Sequence, residues 1–272
     1  MLLIKNNLMA VNAARHLGNS YNALASSVER LSSGLSINSA KDNAAGLAVR
    51  ELIRADIAVI QQGIRNAQEG ISMLQTMEGA MATIDDALVR MQQLAEQAAT
   101  GSYSSAQRAI MENEFQEMRS EIDRVAESTE FNDIKMLDNS ATVSIHIGKL
   151  TTDNISITGS NVTSASSGLN ITGLTISNKT SAKSAVTTLD SAISTKDTAR
   201  GTFGYKMNRL ENAISVLNIQ AENLQAAESR ISDVDVATEM AEMTRNQVLA
   251  QVGISMLAQA NTISQTALKL FK

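Results

Sequence analysis

The chain has 272 residues, a formal net charge of -5, 43% hydrophobic residues and no Cys, Pro or Trp. That length makes one or two domains; the acidic balance gives no electrostatic footing for nucleic acid, and without Cys there is neither a disulfide framework nor a thiolate site. Aromatics at only 3%, beside plentiful Ala, Leu, Ile, Met, Gln and Glu, are the composition of long helices with slim interfaces.

The opening stretch, "MLLIKNNLMAVNAARHLGN", is broken by Lys5, Asn6 and Asn7 and has no continuous apolar run after them, so no general secretory signal is expected. Leu17, Tyr21, Leu24, Val28 and Leu31 step by three and four, the seam of an amphipathic helix. Ser39 with Asp42 then reads as a capping box that restarts the helix.

One long helix is predicted over about 43–99. Ile53, Ile57, Ile60, Ile64, Ala67, Ile71, Leu74, Glu78, Met81, Asp85, Leu88, Gln92 and Ala95 hold the rhythm throughout it. Gly63, Gly70 and Gly79 each cost ~1 kcal/mol against Ala inside a helix, which points to close approach by a neighbour. "GSYSSAQRA" interrupts the pattern, and Ser104 with Gln107 restarts it. Met111, Phe115, Met118, Ile122 and Val125 mark a second helix folding back on the first.

After "FNDIKML" the period changes. "TVSIHIG", "NISIT" and "LNITGLTIS" alternate apolar and polar residues, so short strands or hairpins are predicted from about 141 to 178. Helix returns near Ser181, with Phe203, Met207, Leu210, Ile214, Leu217, Ala221, Leu224, Glu228 and Ile231 as its seam. Ser232, Asp233 and Asp235 cap a last helix.

That last helix carries no charged side chain from Asn246 until Lys269. Gln247, Gln251, Gln259 and Asn261 interrupt it too often for lipid, so no membrane span is expected. Leu249, Val252, Met256, Gln259, Ile263, Thr266 and Leu270 form one heptad seam, and Val248, Ile254, Leu257 and Leu268 a second stripe off it. Apolar surface on more than one side needs several neighbours. The two terminal helices are natural partners, and the surface left over is expected to fold only when identical subunits pack around it.

Catalytic chemistry finds no footing. His16 and His146 are the two histidines, in a helix and on a strand, and no HExxH pair or phosphate-binding glycine loop is present. Asp85 with Asp86 reads as a helix surface and Asp233 with Asp235 as a cap, rather than as acid/base pairs. No catalytic, cofactor-binding or metal residue is assigned.

"LSSGLSINSAKDNAAGLAV" (31–49), "RNAQEGISMLQTMEGAM" (65–81), "EIDRVAESTEFN" (121–132), "NRLENAIS" (208–215) and "AESRISDVDVATEMAEMTRNQVL" (227–249) closely resemble bacterial flagellin. The resemblance covers everything except about 140–200. It implies a mainly α fold of long antiparallel helices, with an inner coiled-coil core domain (1–42 plus 233–272) and an outer rod-like domain (43–232). The β segment at 141–178 sits where longer members insert outer domains, which makes this a minimal form.

By the same resemblance the chain is a filament subunit that forms a helical homopolymer for motility and is secreted through the flagellar type III apparatus without a cleaved signal peptide. Implied partners are hook-associated junction and cap proteins and an export chaperone at the C-terminal helix, with no nucleic acid and no membrane. Filament-interface candidates are Leu17, Leu24, Val28, Leu31, Leu249, Val252, Met256, Ile263 and Leu270; half of their surface is expected to serve an intramolecular core. Gly34 and Gly46 are hinge or turn candidates in the connector between the domains. Arg90, Leu94 and Glu114 match contact positions for an innate immune Toll-like receptor, while Gln92 and Glu96 depart from that pattern; the other reading is a solvated helix face. A hook-filament junction protein and a coiled-coil secreted binding module are the alternatives.

Overall fold

The computed structural model describes residues 7–270. Its helices are α1 (Leu8–Ser33), α2 (Ala44–Ala99), α3 (Ser105–Ser128), α4 (Lys179–Ser232) and α5 (Val236–Leu270). Two antiparallel strand pairs lie between α3 and α4: β1 (Glu130–Phe131) with β2 (Ile134–Lys135), and β3 (Thr142–His146) with β4 (Asn154–Thr158). The chain divides into two compact units, one taking the chain up to Ile57 and from Glu222 onward, the other Ala58–Ala221.

In the first unit α1 and α5 run antiparallel. The Asn7 side chain donates to the Ala260 carbonyl at 2.9 Å, and further along Arg30 pairs with Glu239 at 3.6 Å. Helix α1 starts where the Asn7 side chain accepts from the Ala10 N–H and stops at Gly34. There a left-handed φ of 75° lets the Gly34 N–H reach the Arg30 carbonyl at 2.9 Å, a conformation that glycine adopts without a Cβ clash. Gly46 lies instead in the first turn of α2, where a Cβ would meet Ile37.

The connectors on either side are joined to each other. Ser36 N–H donates to the Ser232 carbonyl at 2.7 Å and Val234 N–H to the Gly34 carbonyl at 3.0 Å, framing an antiparallel bridge between Leu35 and Asp233.

The helix starts differ from expectation by small amounts. Asp42 accepts from the Ser39 N–H and hydroxyl, both at 2.9 Å, but closes a turn ahead of the helix rather than capping it. Asn43 supplies the cap by accepting from the Gly46 N–H at 2.8 Å. The Ser104–Gln107 capping box forms as expected, whereas at the last helix Asp235 caps and Ser232 ends α4.

In the second unit the buried stripe of α2 is Ile60, Gly63, Ala67, Gly70, Leu74, Met77, Met81, Ile84, Leu88, Met91, Ala95 and Ala98, with Met73, Ala87 and Leu94 buried beside it. Half of the expected seam therefore holds, but Ile64, Ile71, Glu78, Asp85 and Gln92 sit one residue off it. The three polar ones flank the core and pair with α4: Glu78 with Arg200 at 2.6 Å, Asp85 with Lys196, and Gln92 with Asp190 at 2.6 Å. Phe115 and Ile122 of α3 and Phe203 and Leu210 of α4 close this core, with no side-chain surface left to water.

The β3–β4 hairpin packs on α2 where the sequence offers glycines. A Cβ at Gly63 would lie 2.4 Å from the Ile147 carbonyl oxygen, and one at Gly70 would lie 3.1 Å from Ile145 Cγ1. Asn66 fastens the hairpin by donating to the His146 carbonyl at 2.8 Å. Gly79 meets nothing within 4 Å, so close approach explains two of the three glycines.

Strand structure ends at Thr158, short of the expected 178. Asn170 (φ 55°) and Gly173 (φ 79°) turn the backbone out of the extended region, and α3 holds the segment in place of a sheet partner. Asp123 accepts from the Ser164 N–H at 2.6 Å and hydroxyl at 2.7 Å, and Glu112 accepts from the Ile176 N–H. The apolar alternation survives as inward anchors, Val162, Ile171 and Ile176. In "FNDIKML", Asn132 (φ 52°) and Asp133 (φ 61°) make the two-residue turn between β1 and β2, the positive-φ pair that tight hairpins need.

Gly63→Ala is expected to destabilise the protein by about 1–3 kcal/mol, because the new methyl meets backbone that cannot rotate away. Urea unfolding of the two proteins measures it, and equal midpoints would contradict the packing described.

Candidate interaction surface

The α1–α5 pair is built on small residues. On α1 the inward positions are Ala10, Ala13, Leu17, Ser20, Leu24, Ser27 and Leu31; on α5 they are Met243, Asn246, Ala250, Gly253, Leu257 and Ala260. A Cβ at Gly253 would stand 3.1 Å from Leu17 Cδ1, so the backbones approach closely and large side chains are displaced to the flanks.

The flanks are apolar. With 3.6 residues per turn, each α5 residue advances by about 100°, which places Leu249, Val252, Met256 and Ile263 on one side of the seam and Val248 on the face opposite it. Val236, Met240 and Ile254 fall on the other side. All eight are exposed, from 37% at Ile263 to 59% at Val236. Tyr21 and Val28 extend the exposed apolar surface on α1, and Leu8, Met9 and Val11 do so at its start. Met9, Ala13, Met256 and Ile263 also line a groove between the two helices.

The nine interface candidates thus separate. Leu17, Leu24 and Leu31 are half-buried in the intramolecular seam, while Val28, Leu249, Val252, Met256 and Ile263 face outward; the Leu270 side chain lies outside the described residues. The stripe read as the α5 seam is in fact the outer flank, and Leu257, read as off the seam, points into it. Ala10, Ala13, Ala250, Gly253 and Ala260 were missed because small residues carry little hydrophobic signal. Their own three-four spacing is the sign that could have found them.

Asp42 and Asp235 frame the starts of the helices that follow them. The hydroxyl of Ser39 and then the Ser39 and Asn38 amides hold the Asp42 carboxyl below its ordinary value. Asp235 is lowered in the same way, first by the Thr238 hydroxyl and then by the Thr238 and Ala237 amides, because each of these bonds favours the charged carboxylate.

The receptor candidates lie in the second unit. Arg90 and Glu114 form an exposed ion pair at 2.6 Å joining α2 to α3, whereas Leu94 is buried in the core at 1% exposure. Among the described residues no group of three or more His, Asp or Glu stands together as a metal site, and no helix is long and apolar enough to cross a membrane.

Residues 4–142 match the family model described as the bacterial flagellin N-terminal helical region, and residues 186–271 match the bacterial flagellin C-terminal helical region. The chain belongs to the flagellin family. A flagellin from Halalkalibacterium halodurans is 40% identical over 272 residues, spanning 100% of both chains. A flagellar filament 33 kDa core protein from Treponema phagedenis is 39% identical over 286 aligned residues, again spanning 100% of both. The crystal structure of Bacillus cereus flagellin matches with a TM-score of 0.52 at 30% identity, over 60% of this chain and 94% of that one. As a flagellin the chain is a structural protein, a self-assembling subunit of the flagellar filament and not an enzyme. A junction protein and a binding module are not favoured.

The Asp42 turn and the Asp235 cap make the first unit acid-sensitive. A carboxylate with a depressed folded pKa contributes stability that is complete above the ordinary 3.8 and is lost as pH falls through the lowered value. Asp235→Asn keeps an oxygen acceptor without the charge, so its stability deficit against the wild type should shrink as pH is lowered past that point. Paired acid titrations followed by circular dichroism test this; a constant deficit would contradict it.

Proposed function

We propose that the subunit polymerises through the apolar flanks of α1 and α5, with 1–42 and 233–272 forming the inner core of the filament and 43–232 its outer part. The observation that carries this reading is the position of Val28, Leu249, Val252, Met256 and Ile263, large side chains left exposed beside a seam that is already filled. A single helix pair cannot cover surface on both of its flanks, and burying each such side chain is worth roughly 1.5–3 kcal/mol. Identical subunits supply the cover, and ordering of the terminal helices accompanies their packing.

The finer steps follow from the same helices. Export proceeds through the flagellar type III channel as an unfolded chain; the absence of Cys and Pro supports this, since neither disulfide exchange nor slow X-Pro isomerisation delays refolding. An export chaperone covers the apolar C-terminal helix before assembly, and hook-associated junction and cap proteins meet the same surfaces at the filament ends. Arg90 of α2 and Glu114 of α3 offer exposed surface to a Toll-like receptor, with Leu94 supporting α2 from beneath.

Seeded polymerisation with electron microscopy and circular dichroism tests the assembly surface. Leu249→Lys with Val252→Lys, at exposed positions, should leave monomer stability within about 0.5 kcal/mol of wild type per site and abolish filament growth. Removing residues 247–272 should likewise give a largely helical monomer that does not polymerise. Filaments of normal length from either variant would refute the assigned surface.

A further inference from the structure

Lys196 is the one buried charged side chain among the described residues of Ala58–Ala221, with 1% exposure. Filament assembly through α1 and α5 makes no use of it. It occupies a core position of α4, in the run Ala182, Ala185, Leu189, Ala192, Lys196, Ala199, Phe203. Its ammonium group reaches Asp85 of α2 and, at 2.7 Å, its neighbour Asp197.

The apolar seam by itself does not choose an alignment. Along the central turns of α2 it repeats every seven residues with side chains of similar size, Leu74, Met81 and Leu88 in one row and Met77, Ile84 and Met91 in the other, so there a slide of α4 by one heptad presents similar apolar surface. A polar side chain at one core position is what separates such alignments in paired helices. Here three rungs follow one another at heptad spacing along α2: Glu78 accepts from Arg200, Asp85 from Lys196, and Gln92 donates to Asp190.

We infer that these rungs, with Lys196 at their centre, set the register of α2 against α4. A slip of one heptad in the first direction brings Lys196 opposite Glu78, but sets Asp190 against Asp85 and moves Arg200 beside Ile71. A slip in the second direction sets Arg200, already 3.8 Å from Asp85, squarely against it, but carries the buried ammonium opposite the neutral Gln92, so that it keeps only the largely exposed Asp197, and puts Glu78 against Met207. Each wrong alignment juxtaposes like charges or strands a charge on apolar surface, and one alignment satisfies all three rungs. The device selects a single subunit geometry where the apolar pattern tolerates several.

The test reads register apart from stability. Because the chain has no Cys, nitroxide labels can be placed at Gln75→Cys and Ser194→Cys, both exposed and off the rungs. Their separation is measured by pulsed electron spin resonance in the full-length protein after refolding from urea. Lys196→Met leaves Asp85 and Asp197 reachable by water and should add a second population displaced by up to about 10 Å, seven residues at ~1.5 Å rise. Exchanging the side chains by Asp85→Gln with Gln92→Asp moves the carboxylate one heptad along α2 without changing composition, and should shift the main distance in the same way. If both variants are helical and both keep the single wild-type distance, the inference is wrong. If the exchange variant does not fold, Lys196→Met decides alone: a second distance supports the register role, and an unchanged single distance overturns it.

Discussion

The close seam between α1 and α5 sets the terms for the first unit and for the assembly surface proposed above. Ala10, Ala13, Ala250, Gly253 and Ala260 bring the two backbones together, which leaves room for few large side chains between them. Leu17, Leu24, Leu31, Met243 and Leu257 stay inward, and the other large apolar side chains, Val28, Leu249, Val252, Met256 and Ile263 among them, are left on the flanks. A wider, leucine-filled seam would bury more inside one chain and leave less for another. Among the described residues of α5, only Ala250 and Ala260 are fully buried, so most of what the helix can gain from burial has to come from outside its own chain.

The second unit uses the opposite arrangement. Its seam is filled with Met, Leu, Ile and Phe side chains that lose all contact with water, and its polar residues are spent on definition: rungs between α2 and α4, and carboxylates of α3 that hold the backbone of 159–178. Unbranched Met fills irregular space among these helices, while the paired charges and amides supply the directionality that Met lacks. Each unit thus matches its packing to its task, saturated burial in one and reserved burial in the other.

Helix existence was legible throughout, because three-four spacing over 20 or more residues has few other readings. Which side of a helix faces which neighbour was not. On α2 the reading took Ile64, Ile71, Glu78, Asp85 and Gln92 in place of Gly63, Gly70, Met77, Ile84 and Met91, since glycine has no hydropathy to register and the step of three or four can be taken in either order. The same ambiguity exchanged the seam and the flank of α5. The segment 159–178 kept its inward alternation but not its strands, because its backbone partners are carboxylates more than 40 residues away in the chain, which no local pattern encodes. Among the candidate residues, the large apolar stripe on α5 was visible from size and spacing, but its outward direction was not; nor was the burial of Leu94, which depends on how α3 lies across α2.

The antiparallel α1–α5 pair joins the two ends of the polypeptide: Asn7 and Ala260, which share a hydrogen bond, lie 253 positions apart. On the ribosome, at about 5–20 residues per second, Asn7 waits roughly 13–50 seconds before Ala260 has been made. Until then α1 has no mate from its own chain, however soon α2 and α3 have found each other. The terminal unit is consequently the last part of the molecule to exist, and a nascent chain spends nearly its whole synthesis without a completed α1–α5 pair.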